Sequence, residues 1–588
     1  MESKKEKIKK ISPEWILLII VLLGFVLRII NALRLEVTAD DMHFVTHAIN
    51  IINSGILETY DQSAPLWFYI TDFFYKLFGV TQLVSRLPSI IFGTLSILVM
   101  YSFSNYIFKD KKFALVASFL IATCPFAFSN MRAEMDVTVV FFLLSSVYML
   151  YKGLKEDSNK IVYASFILLG LALLTKIYAV LFIGVNFLYI FYLNYKKNSL
   201  LKKSEIKKYL IYAGIILIFL LPTLSHNYIL YNNEGILDLQ FTRVLGLGKE
   251  NSAEFYAWDA QFEKEFSVSE LLFGKENIFV SLGFVFDLTP IIFILGIIGM
   301  FLLYEKKTKL FTLLSLGSII PLLYLTTIIL LPKHFLIVAT LLVIPATYTL
   351  KRFIFKYGLN VLYFALLIIL IFSFTQLEKP IFEKEPVGEL MSFKQANFEE
   401  NSLIVTDSRI YRGQTAWVFN DRSYIEGSNF VSALQQVSPE ENLQSTKVYF
   451  IECATGDCGW GGIEKGGELD TLMNSVSNAF KQDGQLIKTI SISRKNDNNL
   501  QKIDYFRIHV LNMDINRQII DYAAQPKVWF MYPIGYDTSL GSWFDTLNPT
   551  TFLERLLYYV SRLIIFLSIF LALISPFYII RNSKLTKK

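Results

Sequence analysis

The sequence predicts an all-α polytopic membrane protein with a small α/β domain inserted before its last helix. Of the 588 residues, 53% are hydrophobic and 18% are charged, against about 45–50% and about 25% in soluble domains. Apolar runs long enough to cross a bilayer recur along most of the chain, and short basic clusters separate them. These observations exclude a compact soluble enzyme, a disordered chain and a soluble nucleic-acid-binding module. Three cysteines are too few for a disulfide framework or a four-cysteine zinc site.

A spanning helix needs about 20 mostly apolar residues. Twelve segments are predicted to span: 14–34, 84–108, 113–130, 134–151, 161–175, 178–195, 208–230, 281–303, 308–330, 333–350, 356–375 and 551–580. The pair at 161–195 is the weakest, because Lys176 interrupts a continuous apolar stretch.

Basic residues favour the cytoplasmic side of a membrane. Alternate connections carry them, at 4–10, 109–112, 152–160, 196–208, 305–309, 351–356 and 581–588. All seven clusters fall on one side only if all twelve segments cross. Both termini are then cytoplasmic. Residue usage rich in Lys, Ile, Asn and Phe is typical of a prokaryote, which makes the membrane a plasma membrane.

This orientation places a large segment, 376–550, outside the cell. Within it four stretches read as strands and one as an amphipathic helix: 402–408, 447–453, 485–493, 504–512 and 467–484. Cys453 and Cys458 could form a disulfide in an oxidising exterior or remain two thiols. The chain is therefore divided into three parts: a transmembrane catalytic module at 1–375 with external loops at 35–83 and 231–280, the external α/β domain at 376–550, and a last helix with a basic tail at 551–588.

Two adjacent carboxylates, Asp40 and Asp41, follow the first predicted span. A carboxylate beside lipid, or beside a second carboxylate, has a raised pKa that suits a general base. The pair could equally hold a divalent cation. The plainer alternative is two solvated acids in an exterior loop.

His43 and His47 are four residues apart, and Asp40 precedes His43 by three, so one helical face can carry all three. That spacing can bind zinc, although the glutamate of the zinc-protease motif is missing. Histidines that face lipid headgroups are the simpler interpretation.

Three ionisable residues, Arg132, Glu134 and Asp136, lie at the predicted outer boundary between two spans. Such residues are costly there unless they pair or line a cavity. Arg132 could pair with Glu134 or Asp136 and anchor the turn. Alternatively, Asp136 faces the same wet cavity as Asp40 and Asp41, and the carboxylates frame one metal or acid–base site.

Cations also occur at the outer boundaries, which are otherwise poor in Lys and Arg. They are Arg86, Lys176, Arg243, Lys333 and His334. Each could simply snorkel to the interface. Together they favour an anion there, and a lipid phosphate is the natural one, because a phosphate leaving group needs fixed positive charge.

Several of these motifs follow one another in a familiar order. The acidic pair is followed by Ser-Ala-Pro-Leu-Trp-Phe at 63–68, Arg86 with Gly93, the turn 132–136, Leu-Leu-Thr-Lys ending at Lys176, and Lys-His-Phe at 333–335. Over residues 14–350 this order resembles the GT-C membrane glycosyltransferases. The most similar branch holds the dolichyl-phosphate-mannose–protein mannosyltransferases and the ArnT-like lipid A aminoarabinose transferases.

The resemblance implies a donor sugar linked to a polyprenyl phosphate, dolichyl or undecaprenyl, and transfer on the extracytoplasmic side. The family's acidic pair corresponds to Asp40 and Asp41, its second acidic position to Asp136, and its phosphate-binding lysine to Lys176. Two departures stand out. Asp41 replaces the usual Glu, and Ala64 replaces the His or Lys that often precedes the loop proline. Lys176, Arg243 or Lys333 would then supply the missing contact.

The sequence therefore predicts a hexosyl- or pentosyltransferase with a protein, lipid or glycan as acceptor. A divalent metal at Asp41, Asp136 and His43 stays open, because carboxylates serve as bases and ligands alike. Two alternatives remain: a lipid or glycan transporter or flippase, and a non-catalytic scaffold that presents the external domain.

Overall fold

The structure is a computed structural model of the chain. It describes residues 12–54, 64–124, 130–252, 268–274, 277–328, 331–354, 357–375, 385–437, 442–458, 464–496, 499–525 and 549–584. Parts of several predicted features lie outside these ranges: the basic cluster at 4–10, residue 63 of the 63–68 motif, and the ends of the external domain at 376–384 and 526–548.

Helices make up the first two thirds of the chain. They are α1 (Pro13–Arg34), α2 (Ala39–Ser54), α3 (Leu66–Phe78), α4 (Gln82–Ser85), α5 (Leu87–Phe108), α6 (Lys111–Thr123), α7 (Asp136–Lys155), α8 (Asn159–Thr175), α9 (Leu181–Lys196), α10 (Lys203–Glu234), α11 (Leu239–Leu245), α12 (Lys249–Ser252), α13 (Val268–Phe273), α14 (Ile278–Leu288), α15 (Pro290–Lys306), α16 (Thr308–Ile328), α17 (Leu336–Thr349) and α18 (Leu359–Thr375). Two 3₁₀ turns, Ile177–Val180 and Pro332–Phe335, precede α9 and α17, and a π-helical stretch, Leu350–Ile354, follows α17.

Eight helices in the described ranges are long and apolar enough to cross a membrane, or nine if the bent pair α14–α15 counts as one span. The chain is a multi-pass membrane protein. The helix α7 lies at the centre of this bundle, and 94% of its apolar window is buried. Its side chains are apolar on all sides, as a helix surrounded by other helices requires.

All twelve predicted segments contain helices, but four of them differ from a straight, full-length span. The segments 113–130, 161–175 and 356–375 form helices of 13, 17 and 17 residues. Thirteen residues rise only about 20 Å, against the roughly 30 Å of a bilayer core. The segment 281–303 bends by 114° before Pro290, which has no N–H to continue the helix. Because the predicted orientation needs all twelve crossings, the sidedness of the termini stays a prediction.

A small mixed sheet follows the helices. Its strands are β1 (Leu403–Thr406), β2 (Tyr424–Glu426), β3 (Leu443–Cys453), β4 (Gln485–Asn496) and β5 (Asn499–Asn516), in the order β2-β1-β3-β5-β4. The strand β1 is parallel to β2 and β3, whereas β5 is antiparallel to β3 and β4. The helices around it are α19 (Pro386–Asn397), α20 (Arg412–Phe419), α21 (Gly427–Gln436), α22 (Glu468–Asp483) and α23 (Arg517–Ala524), before the last long helix, α24 (Phe552–Lys584).

The predicted α/β character of this segment is confirmed. All four predicted strands and the helix 467–484 correspond to observed elements. Strand β2 escaped prediction because three residues are too short for a periodic signal. The structure joins Cys453, at the end of β3, to Cys458 by a disulfide.

The sheet domain packs directly on the helices that follow α2. Trp417 is fully buried, and its indole N–H donates to the Ser85 hydroxyl at 3.0 Å. Gln82 donates to the Glu385 carboxylate at 3.4 Å, and Glu385 also accepts from the Gly388 N–H at 2.9 Å. The domain is therefore attached through buried polar contacts at α4.

Glu385 should make this attachment sensitive to pH. Burial raises the pKa of its carboxyl to about 7, so its contribution is complete below about pH 4.5 and is lost as the pH rises through 7. We expect the free energy of unfolding of wild type to fall relative to that of Glu385→Gln between about pH 5 and 8, by roughly 3 kcal/mol in full, and the melting temperature to fall with it. Thermal unfolding in detergent measures this. Glu464 is exposed, so Glu464→Gln is the control and should follow wild type at every pH. If wild type and Glu385→Gln lose stability in parallel as the pH rises, the role of Glu385 is contradicted.

Close helix packing gives a second prediction. A Cβ at Gly299 in α15 would collide with the backbone carbonyl of Pro345 in α17, whereas a Cβ at Gly184 in α9 meets nothing within 4 Å. We expect Gly299→Ala to lower the free energy of unfolding by about 1–3 kcal/mol. Gly184→Ala should not lower it. Their melting temperatures in the same detergent test this, and equal values would show that α15 and α17 do not pack so closely.

Candidate active site

Asp41 closes the start of α2. Its carboxylate accepts from the Thr38 N–H at 3.1 Å, and the Thr38 hydroxyl accepts from the Asp41 N–H at 3.2 Å. This reciprocal pair is a capping box, in which two otherwise unpaired N–H groups are satisfied. The Thr-Ala-Asp-Asp run at 38–41 carried that signal in the sequence.

Asp41 also ties three elements together. Its carboxylate accepts from Arg86 at 3.2 Å, from Arg132 at 3.5 Å and from the Ala133 N–H at 2.6 Å, and its side chain is fully buried. Burial by itself would raise the pKa of Asp41, but the two guanidinium groups outweigh it and hold the pKa below its ordinary value. A buried carboxylate with this many donors anchors the surrounding segments, and a role of Asp41 as base or metal ligand stays a prediction.

Arg86 belongs to the same anchor. It is fully buried, and besides Asp41 it donates to the carbonyl oxygens of Ala32 at 2.6 Å and Leu35 at 2.9 Å. These contacts fix the carboxyl end of α1 and leave the guanidinium inaccessible to a lipid phosphate. Arg132, expected to pair with Glu134 or Asp136, instead donates to Asp41 and to the Glu36 carbonyl.

A second group of charges surrounds Lys333. Its ammonium contacts the Asp40 carboxylate and lies 2.7 Å from the Glu134 carboxylate. The Asp40 side chain is 45% exposed, whereas that of Glu134 is 7% exposed. Burial opposes ionisation of Asp40, but Lys333 outweighs it and lowers the pKa. Burial, reinforced by neighbouring carboxylates, raises the pKa of Glu134.

Asp136 and Lys176 complete this group. The Lys176 ammonium lies 2.9 Å from both carboxylate oxygens of Asp136. The charges of Lys333 and His334 also act on Asp136, and that of Lys176 acts on Asp40. The charge cluster of Asp40, Glu134, Asp136, Lys176 and Lys333 thus joins residues that are far apart in the chain.

The remaining predicted cations lie next to this charge cluster. His334 is 4% exposed, and its ring centre is 6.1 Å from that of Tyr178. Arg243 lies on α11, which packs against the turn 177–180 directly after Lys176. Lys176, Lys333 and His334 therefore share one region, the helix that carries Arg243 packs beside it, and Arg86 belongs to the Asp41 anchor.

The cluster is built from helix starts. Asp40 lies in the first turn of α2, and Asp136 is the first residue of α7. Lys176 has extended backbone between α8 and a 3₁₀ turn, and Lys333 lies in the turn before α17. Because a helix start carries a partial positive charge, these ends add to the two ammonium groups in balancing the three carboxylates.

The predicted metal ligands are held apart by other partners. Asp41 is saturated by its donors, Asp136 is paired with Lys176, and the His43 ring nitrogen lies 3.3 Å from that of His47. Neither histidine faces a lipid surface, since they are 7% and 1% exposed. Within the described ranges no group of three or more His, Cys, Asp and Glu residues is arranged to hold a metal ion. A metal ion at Asp41, Asp136 and His43 stays a prediction.

Glu134 is the residue that sequence reasoning missed as part of the site. It was considered only as a partner for Arg132. Its position two residues before Asp136, in a short turn between apolar segments, was the available signal.

The comparisons with known proteins bear on this geometry. Residues 62–226 match the family model for dolichyl-phosphate-mannose-protein mannosyltransferase. The resemblance predicted from the sequence is confirmed. The matched segment holds Arg86, Glu134, Asp136 and Lys176, whereas Asp40 and Lys333 lie on either side of it.

Two proteins resemble part of the chain. A protein of Aquifex aeolicus is 30% identical over 193 residues, which is 31% of this chain and 37% of that protein. YkcB of Bacillus subtilis, for which a mannosyltransferase activity is proposed, is 30% identical over 141 residues, 24% of this chain and 19% of its own length. The chain thus spans well under half the length of these relatives.

Among solved structures, ArnT from Cupriavidus metallidurans aligns over 84% of this chain and 97% of its own, with 12% identity and a TM-score of 0.47. The oligosaccharyltransferase of Archaeoglobus fulgidus aligns over 76% and 70%, with 15% identity and a TM-score of 0.47.

The two neighbouring acids should differ sharply in their effect on stability. Asp41→Asn leaves the buried Arg86 without its counter-charge, which costs about 3–5 kcal/mol. Asp40→Asn removes a half-exposed ion pair, but Lys333 keeps its contact with the Glu134 carboxylate. This change should lower the free energy of unfolding by about 0–1 kcal/mol. Thermal unfolding of the purified proteins distinguishes the two. Equal losses would contradict the anchoring role of Asp41.

Proposed function

We propose that the protein is an integral-membrane glycosyltransferase that transfers a sugar from a polyprenyl phosphate to a hydroxyl acceptor on the extracytoplasmic side. The observation that carries the proposal is the charge cluster, in which two lysines and three carboxylates meet close to the starts of α2, α7 and α17. The mannosyltransferase family match over 62–226 supports the reaction class.

The two lysines would hold the donor phosphate. Lys176 and Lys333 are 13% and 15% exposed, so their ammonium groups are partly accessible. Negative charge accumulates on the phosphate as the sugar leaves, and fixed cations in a poorly solvated site stabilise it. The spanning helices around the cluster would leave the isoprenoid in lipid, and Arg243 and His334 would add positive charge nearby.

Asp40 is the best candidate for the general base. It is the most exposed carboxylate of the cluster, at 45% against 7% for Glu134 and 2% for Asp136. In the reaction the acceptor oxygen forms a bond to the anomeric carbon as the bond from that carbon to the phosphate oxygen breaks. The hydroxyl proton passes to Asp40, and polyprenyl phosphate leaves with the electron pair.

Because Asp40 and Glu134 share Lys333, binding of the donor phosphate would change the base strength of Asp40. Without donor, Lys333 contacts both Asp40 and Glu134 and keeps the pKa of Asp40 low. A phosphate that binds Lys333 draws this ammonium away from Asp40. The carboxylate then becomes a stronger base at the moment when the donor is present. Asp136, paired with Lys176, would position that lysine rather than act on the acceptor.

This assignment gives each of the three predicted segments of the chain a function. Residues 1–375 would form the catalytic module, 376–550 an external domain on the acceptor side, and 551–588 a membrane helix with its tail. The sheet domain is attached at α4, directly before Arg86. There the domain would guide a protein, lipid or glycan acceptor toward the site.

The proposal is tested with purified protein in vesicles, polyprenyl-phosphate-linked radiolabelled sugars and a membrane extract as acceptor. Asp40→Asn should lower the rate of label transfer by about 100-fold or more while donor binding persists. Lys333→Met should weaken donor binding as well.

Asp504→Asn is the matched control, because Asp504 is an ion-paired aspartate of similar exposure, 42%, in the sheet domain. Its transfer rate should equal that of wild type. Wild-type rates in Asp40→Asn, or a donor that binds without being consumed by any of these proteins, would refute the proposed activity.

A further inference from the structure

A second group of charges lies at the opposite end of α7. Lys152 and Lys155 occupy the last turn of this helix, 16 or more residues after Asp136, which corresponds to about 24 Å along the axis. Lys109 follows α5, Lys307 joins α15 to α16, and Lys351 follows α17. We refer to these five residues as the lysine cluster. It is separate from the charge cluster at the proposed active site.

These lysines come from four of the basic clusters in the sequence, at 109–112, 152–160, 305–309 and 351–356. The charges of Lys155, Lys351 and Lys109 all act on Lys307, and that of Lys109 acts on Lys155. Burial, with these three neighbours, lowers the pKa of Lys307 to about 8. The lysines are therefore near enough to repel one another.

Aromatic rings hold the ammonium groups in place. Lys307 and Lys351 both lie 5.6 Å from the centre of the Phe108 ring, and Lys351 also lies 5.0 Å from that of Phe113. On the other side, Lys152 and Lys155 lie 5.7 and 5.1 Å from the Tyr106 ring centre. The Phe108 ring and the Tyr106 ring are thus each close to two ammonium groups, and neither ring carries a net charge that would neutralise them.

Protein groups neutralise only part of this charge. Lys307 donates to the Ile107 carbonyl at 2.8 Å, near the end of α5. Four helix ends, of α5, α7, α15 and α17, supply about half a negative charge each, and Glu156 is the acid that acts on Lys152 and Lys155. Lys155, Lys307 and Lys351 form no ion pair with a carboxylate among the described residues. Against five ammonium groups, roughly two positive charges remain uncompensated.

We propose that the lysine cluster binds a phosphate group, supplied by the headgroup of an anionic lipid. The cluster lies where spanning helices end, which is the depth of lipid headgroups, and basic sites between such helices suit phosphate-bearing lipids. A phosphate that contacts Lys307 and Lys351 would place its negative charge where the excess positive charge is greatest. Free phosphate has the same chemistry, and the experiment distinguishes the two sources.

The test is native mass spectrometry of the full-length protein in detergent, titrated with phosphatidic acid, phosphatidylglycerol, phosphatidylcholine or inorganic phosphate. We expect wild type to bind the two anionic lipids at least 10-fold more tightly than phosphatidylcholine. The double variant Lys307→Gln/Lys351→Gln should lose most of this preference. Lys307→Arg/Lys351→Arg should keep it, which separates loss of charge from loss of fold.

Lys306→Gln/Lys309→Gln is the matched control, because it removes the same charge from two exposed lysines on either side of Lys307. Its lipid preference should change by less than 2-fold. If both double Gln variants lose the preference equally, general surface charge explains it and the site is refuted. If inorganic phosphate alone binds, and binds less tightly to Lys307→Gln/Lys351→Gln, the site takes free phosphate and the lipid source is refuted.

Discussion

The buried contact between Arg86 and Asp41 is the constraint on which the proposed active site depends. Arg86 holds the carbonyl end of α1 with one nitrogen and the Asp41 carboxylate with the other. Asp41 in turn caps α2 and accepts from the backbone just before Glu134. A buried pair of this kind is stable only when its remaining donors and acceptors are satisfied, and here three separate segments supply them. The position of Asp40 on α2 and of Glu134 and Asp136 at α7 follows from that anchor.

The charge cluster shows how a membrane helix bundle can keep ionisable groups at one boundary. Each lysine lies where a helical run is interrupted, Lys176 after α8 and Lys333 before α17. An interrupted helix leaves polar backbone groups near the lysine side chain. These groups lower the desolvation cost of the ammonium group. The carboxylates begin helices, where their charge complements the helix dipole. The same arrangement that makes the charges tolerable also makes them available to a phosphate and a hydroxyl.

The two ends of α7 differ in how their lysine charges are balanced. At its start, lysines are balanced by carboxylates, and a bound phosphate would have to compete for them. At its end, the lysine cluster rests on Tyr106 and Phe108 with little acidic compensation. Aromatic faces stabilise cations but carry no net charge, so they fix positions without neutralising them. One central helix thus connects a site suited to chemistry with a site suited to holding an anion.

The sequence by itself determined the membrane class, the helical runs, the small α/β domain and most residues of the charge cluster. Apolar periodicity and rare ionisable residues at span boundaries are local features, and local features are readable from one chain. Only the tertiary structure decided that adjacent Asp40 and Asp41 have different partners, because one faces Lys333 and the other Arg86. It likewise separated Arg86 from the other cations and added Glu134. Successive residues on a helix point in directions about 100° apart, so which partner each acid meets depends on packing between segments far apart in sequence.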